Sequence, residues 1–406
     1  MAVFSGQFKL RIDNEDQTTA MEPFEPPVFR IVDRGVADSQ NPHQRHWWKH
    51  HSGYALAIFL YFAEYSTEVQ RRDLKFFADY IASCLGADSR ARRWDKKYLW
   101  QSFMTDDGTP IELSWDWGIQ NDLPTIRYSI EPIGMHADTS LDPSNNFASA
   151  QFHQQLLGSE IECQNGWFNY FNAEFNRPTA QTAPFDSCYR EHRGYSSHMF
   201  YAFDLNKEKI ASKAYFFPEL KARVNGVTNF EAIYHTIASA PHCTVQNTKA
   251  LQVCNEFALE SGREALEYDM LAIDLTEPRA SRLKIYMRSR ETNFNSVVDI
   301  LTLGGRLQSF KRDQGIKDLW FLWNCLFQVN HQQEESLKFV DHRTAGILYN
   351  FEFKLGALIP TAKVYIPVRH YCRSDEQIIQ GLATYLSYHQ RDKYLPNYLK
   401  AMTALL

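Results

Sequence analysis

The 406-residue sequence lacks the marks of several large protein classes. None of its seven cysteines forms a CxxC pair, so a zinc ribbon or a dithiol redox site has no ligands. An odd number of scattered thiols also argues against a disulfide framework and for a reducing, cytoplasmic compartment. No apolar run reaches the ~20 residues that span a bilayer. The longest, YALAIFLYFAEY and LWFLWNCLFQV, suit core helices. The N-terminus has no basic segment leading into an apolar one, so neither a signal peptide nor a membrane partner is expected. Long basic runs are missing and the formal net charge is −5, which disfavours a nucleic-acid partner. There is no Walker-type phosphate loop and no DDxxD cluster for a metal. Asp106-Asp107 runs into Gly-Thr-Pro and reads as a turn, and Gly304-Gly305 reads as the end of a helix.

What is present is a globular composition, 44% hydrophobic and 22% charged. Residues 1–45 are polar and proline-containing and are expected to be irregular. With no Gly/Ser- or Pro-rich linker beyond them, residues 46–406 are expected to form one domain. A helix is expected from about Trp47 to Ala63. A second should start at Thr67, where Thr67-x-x-Gln70 has the form of a capping box, and run towards Cys84. His46 and His50 are spaced for a metal, but without further ligands they read as part of a solvated helix.

A recurring unit follows. Two strand-like segments stand together, then a helical stretch. The pairs are TPIELSWDWG with PTIRYSIEPI, HMFYAFDL with KIASKAYFFP, LEYDMLAIDL with SRLKIYMRSR, and ILYNFEFKLG with AKVYIPVRHY. All are rich in β-branched and aromatic residues and alternate with period two. Antiparallel hairpins separated by helices differ from the alternation of a parallel barrel. The expected fold is α+β, an antiparallel barrel with polar side chains inside and helices outside, closed to remove its edges.

Three second strands carry a cation two residues before a tyrosine: Lys213 with Tyr215, Lys284 with Tyr286, and Lys363 with Tyr365. Arg282 extends the third, and Arg127 lies in the second strand of the first pair. Residues i and i+2 of a strand share a face. One such pair would be an ordinary solvent-facing pair, but recurrence at equivalent positions brings five cations and three phenols together. Such a cluster needs an anion, and a diphosphate offers oxygens for several charge-assisted bonds. At about 1.5–3 kcal/mol each, the contacts have an upper bound on the order of 8–15 kcal/mol. That overlaps the ~8–23 kcal/mol by which enzymes lower barriers. Side chains could then stabilise a departing diphosphate with no metal or other cofactor. Tyrosine faces could shield the carbocation left behind. Glu112 alternates with Ile111 and Leu113, faces away from them, and could accept a hydrogen bond from a substrate N–H or O–H.

These segments resemble the fungal dimethylallyltryptophan synthase family. The resemblance rests on Tyr65-Ser66-Thr67 with Gln70, LKFFADYI, TPIELSWDW, IRYSIEPIG, FDL…KAYFFP, SRLKIYMR and AKVYIPVRHY, in family order over roughly residues 47–400. It implies a ten-stranded αββα barrel and metal-independent transfer of a dimethylallyl group from its diphosphate to an aromatic ring, indole or phenolic, in secondary metabolism such as alkaloid biosynthesis. The partners implied are a prenyl diphosphate and an aromatic small molecule; a homodimer is admitted and not decided. By position Glu112 matches the ring-anchoring glutamate. Arg127, Lys213, Tyr215, Arg282, Lys284, Tyr286, Lys363 and Tyr365 match the diphosphate shell.

Three departures shape the expectation. Phe200 stands where tryptophan-using members have a lysine, and Asp269 where they have an arginine for the amino-acid carboxylate. Free tryptophan is therefore not the expected acceptor. His198, two residues before Phe200, becomes the candidate proton acceptor. The family's last hairpin should follow YLKAMTALL, but the sequence ends at Leu406, so that hairpin is expected to be missing. A catalytically impaired member and an apolar-ligand barrel stay open as alternatives.

Overall fold

The computed structural model describes residues 24–36, 41–88, 100–118, 122–137, 139–142, 145–176, 198–260, 262–328 and 332–406. All eight expected strands form: β1 (Ile111–Asp116), β2 (Thr125–Ile130), β3 (Met199–Leu205), β4 (Ile210–Phe216), β5 (Glu267–Asp274), β6 (Leu283–Ser289), β7 (Ile347–Phe353) and β8 (Thr361–Tyr365). Period-two alternation decides which face is apolar. In β2, Ile126, Tyr128 and Ile130 are buried while Thr125, Arg127 and Ser129 are partly exposed. In β4 the buried set is Ile210, Ser212, Ala214 and Phe216, against Lys213 and Tyr215 on the polar face. β6 departs from this pattern, because all seven of its residues are buried, Lys284 and Arg288 included.

The chain divides into two compact units, with the boundary inside β4. The first comprises residues 5–162, 186–212 and 392–406 and holds β1–β3. These pair antiparallel in chain order, with Ser114 opposite Arg127 and Arg127 opposite Asp204. Helices cover their apolar face. Phe59, in the helix Ser52–Phe62, meets Trp115 edge-on at 6.0 Å. Tyr398, in the helix Leu395–Leu405, lies 5.5 Å from Trp115 and 5.1 Å from Trp117. The buried Tyr65 hydroxyl ties helix to sheet: it donates to the Leu205 carbonyl at 2.6 Å and accepts from the Ile126 N–H at 2.9 Å.

The second unit holds residues 163–185 and 213–391, with the rest of β4 and β5–β8. Here too neighbours in sequence pair antiparallel, with one bulge in β5 between Tyr268 and Met270. Phe216 packs 6.0 Å from each of Phe168, Phe171 and Phe175, all on the helix Gly166–Phe175. Phe230 of the helix Asn229–Ala238 meets Tyr268 at 4.7 Å.

Four local readings are corrected. Within the segment expected to be irregular, Pro27–Val36 form a helix that buries Val28, Phe29 and Val32. Proline suits a helix's first turn, and Phe29 packs 4.7 Å from Trp48. The helix expected from Trp47 to Ala63 is broken at His51 (φ −140°, ψ −114°), between a π-helical turn, His46–His50, and Ser52–Phe62. The break lays Trp48 against Gly53, where any Cβ would collide with it. The next helix, Thr67–Phe76, is capped by Ser66, whose hydroxyl accepts from the Val69 N–H, and not by Thr67. Gln70 instead donates to the Tyr65 carbonyl at 2.6 Å. His46 is buried rather than solvated and lies 3.4 Å from Asp88. The six described cysteines are unpaired; Cys188 falls outside the described residues. No described helix is long and apolar enough to cross a membrane.

Candidate active site

Strand register sets the polar face of the second unit. Lys213 on β4 stands opposite Asp274 on β5, and Lys284 on β6 stands opposite Glu352 on β7. Three of the four cations expected there, Lys284, Arg282 and Lys363, are laced together by these two carboxylates. Asp274 binds Lys284 at 2.5 Å and Arg282 at 2.7 Å. Glu352 holds Lys363 at 3.0 Å and Arg282 at 3.5 Å. Charge repulsion in this row is thus relieved partly by the protein's own acids, and among Arg282, Lys284, Lys363, Asp274 and Glu352 a surplus of one positive charge remains when every group is ionised.

The surplus shows in the titration of the most buried member. Burial, reinforced by the Lys213 charge and opposed by Asp274, lowers Lys284 to about 7. Burial alone would raise Asp274, but the Lys284 charge and the Arg282 hydrogen bond outweigh it and hold the carboxyl well below its usual range. Glu352 is likewise lowered, the Lys363 charge outweighing burial.

The phenols form a second row beside the cations. Tyr215 and Tyr286 have ring centroids 5.7 Å apart, and Tyr286 and Tyr365 5.9 Å apart. The hydroxyls of Tyr286 and Tyr215 are 3.5 Å apart. Burial raises the Tyr286 pKa well above its ordinary value, so it stays a neutral phenol. Three aromatic rings beside four cations offer an anion its counter-charges and a carbocation its π faces.

The first unit carries Arg127, Glu112 and His198. Arg127 lies between two carboxylates, Asp116 at 2.6 Å and Asp204 at 3.2 Å. Glu112, partly exposed, occupies the same face of the β1–β2 ladder, opposite Ser129 and two positions from the Ser114–Arg127 pair. Phe200 is buried and meets Phe103 at 5.7 Å. His198 is partly buried; burial lowers its pKa and the Asp142 charge opposes the shift, so the ring is neutral near pH 7 and open to a proton.

The sequence reading missed the acids. Each hairpin has a carboxylate on the polar face of its first strand: Asp116, Asp204, Asp274 and Glu352. The signal was present, because each shares strand parity with the polar positions, as Asp116 does with Glu112. Asp269, which stands where tryptophan-using members have an arginine, is paired with one, for Arg288 lies 3.1 Å away. Arg288 itself was not singled out, although it follows Lys284 and Tyr286 at the same spacing.

The chain is similar to known proteins in both sequence and fold. The family model for tryptophan dimethylallyltransferase matches residues 43–401. The 4-O-dimethylallyl-L-tyrosine synthase of Claviceps purpurea is 34% identical over 84% of this chain and 75% of its own length. The 7-dimethylallyltryptophan synthase of Aspergillus fumigatus is 33% identical over 86% of this chain and 75% of its own. Among solved structures, AnaPT from Neosartorya fischeri superposes with a TM-score of 0.77 at 22% identity, over 91% of this chain and 88% of that one. NotF in complex with brevianamide F and DMSPP gives a TM-score of 0.76 at 23% identity, over 94% and 90%. The structural likeness shows the α+β prenyltransferase-barrel fold class, and the sequence matches show the family. The chain belongs to the tryptophan dimethylallyltransferase family and is an aromatic prenyltransferase.

Proposed function

We propose that the protein transfers a dimethylallyl group from its diphosphate to an indole or phenolic acceptor other than free tryptophan, without a metal ion. The observation that carries the reading is the row Lys213, Lys284, Arg282 and Lys363, in which the last three share two carboxylates and Lys213 stands opposite one of them. In this reading the row holds the diphosphate. The allylic C–O bond breaks, its electron pair leaves with the diphosphate, and the positive charge that metal ions often supply comes from side chains. Tyr215, Tyr286 and Tyr365 face the allyl cation. The acceptor ring, or a phenol oxygen, attacks that cation and forms the new bond. Glu112 accepts a hydrogen bond from the acceptor's N–H or O–H, and His198 takes the proton released as the product neutralises.

Curated relatives name L-tyrosine and xanthones as well as tryptophan in their activities, which supports an acceptor panel wider than indoles. Arg288 compensates the Asp269 charge, so the case against free tryptophan rests on Phe200. A cytoplasmic enzyme fits the unpaired thiols. The test is incubation with dimethylallyl diphosphate and a panel of indoles, tyrosine, xanthones and tryptophan, with mass detection of products, in the presence and absence of EDTA. Turnover should survive the chelator and tryptophan should be a poor acceptor. Activity lost to EDTA and restored by magnesium would refute the side-chain mechanism.

A further inference from the structure

Asn350 lies in β7 on the face shared with Glu352, opposite Tyr286 on β6 and Lys363 on β8. It stands where the cation row meets the tyrosine row. It is 1% exposed, and neither its Oδ1 nor its Nδ2 has a hydrogen-bond partner. Tyr286 is close enough for Asn350 to oppose the upward shift of the phenol, but the geometry falls short of a hydrogen bond. Among the described residues it is the neutral side chain whose two polar atoms are both buried and both unpartnered. Burying an amide in this way is unfavourable, and a leucine would fill the space without that penalty. On the other neutral side chains the orphaned atoms are single ones, such as the hydroxyls of Tyr128 and Tyr349 on helix-packed faces.

We propose that Asn350 is a binding residue for the diphosphate of the prenyl donor. Its amide Nδ2 donates one N–H to a phosphate oxygen and the other to the Tyr286 hydroxyl oxygen. The amide thereby holds the hydroxyl oxygen of Tyr286 as well as contacting the leaving group, and leaves that hydroxyl's hydrogen directed at Tyr215. An amide suits this position better than another cation. It adds a donor without adding to the repulsion that already lowers Lys284. The inference rests on the donor-site reading above and deepens it.

The test is calorimetric titration of the full-length protein with inorganic diphosphate. Asn350→Leu removes both polar atoms at similar volume, and Asn350→Asp keeps the shape and adds a negative charge. Asn350→Leu should bind inorganic diphosphate about ten-fold more weakly than wild type, with an unchanged or higher melting temperature. Asn350→Asp should bind more weakly still. If wild type binds and Asn350→Leu binds equally well, the proposal fails while the donor site stands. If wild type does not bind diphosphate, the donor-site reading itself fails. If Asn350→Leu does not fold, Asn350→Asp decides, and equal affinity there overturns the proposal. An unchanged diphosphate affinity with a raised acceptor KM also overturns it, by assigning the amide to the acceptor.

Discussion

The polar faces of the two units carry opposite charge. On β1–β3, Glu112, Asp116 and Asp204 accompany Arg127, which is held by two of them. On β4–β8, Arg282, Lys284 and Lys363 share two carboxylates beside Lys213, with Arg288 and Asp269 forming a separate pair. The same repeat, an acid in the first strand and a cation in the second, thus gives two different outcomes. Where acids outnumber cations, a cation is bound and steadied by protein. Where cations outnumber acids, charge is left for a ligand, and burying that surplus is tolerable in an enzyme whose substrate is a polyanion. Ion pairing positions the charges, and their imbalance marks the binding surface.

The largest expected effect comes from attacking the two faces separately. Lys284→Ala or Arg282→Ala should weaken donor binding or ionisation by about 1.5–3 kcal/mol, roughly ten- to a hundred-fold. The fold should survive in each, since Asp274 keeps one of its two partners. Glu112→Ala should do the converse, lowering turnover by about ten-fold or more while leaving the affinity for inorganic diphosphate unchanged. Steady-state kinetics and diphosphate titration on both sets measure the contrast. A Glu112 variant that lost diphosphate affinity, or a Lys284 variant with wild-type kinetics, would break it.

The next effect is a proton. Free Lys284 titrates at about 7, and a bound polyanion favours its charged form, raising that value. Between the two values the complex holds more protons than its separate components. Binding should therefore take up protons just above neutrality, and affinity should fall as pH rises through 7 to 9. Calorimetry in buffers of different ionisation heats measures the uptake. Lys284→Met should reduce it, which separates the lysine's contribution from the ligand's own titration. Equal uptake in both proteins would mean that Lys284 is already charged in the free enzyme.

The comparison also explains what could be read from the sequence. Period-two alternation and the Lys-x-Tyr recurrence are local properties, and they placed all eight strands and the row of phenols. The acids shared the same parity but were passed over, because a carboxylate's partner is set by register between strands. Asp274 illustrates this: its partners Arg282 and Lys284 lie across a hairpin whose turn fixes the register. Asn350 was invisible for a related reason, since an unsatisfied amide is defined by what surrounds it. The break at His51 depends on the packing of Trp48 against Gly53, which periodicity within one helix does not report.

The smallest expected effect has the most informative sign. Glu352 holds Lys363 at 3.0 Å and Arg282 at 3.5 Å, so it competes with any anion for both cations. It also aims them, because side-chain freedom lost in the free enzyme is not lost again on binding. If the surplus of charge governs affinity, Glu352→Gln should bind inorganic diphosphate a few-fold more tightly, since the amide keeps the shape and removes a competing charge. If aiming governs, affinity should fall, because the amide holds two cations less firmly. The charge comparison between the two units favours the first outcome. Arg127, held by Asp116 and Asp204, shows how a cation is fixed when acids are not scarce, whereas Glu352 divides one carboxylate between two cations and secures each less tightly. A titration of Glu352→Gln against wild type reads the sign directly, and weaker binding by the variant would show that the acids of the second unit serve to orient the cations rather than to restrain their charge.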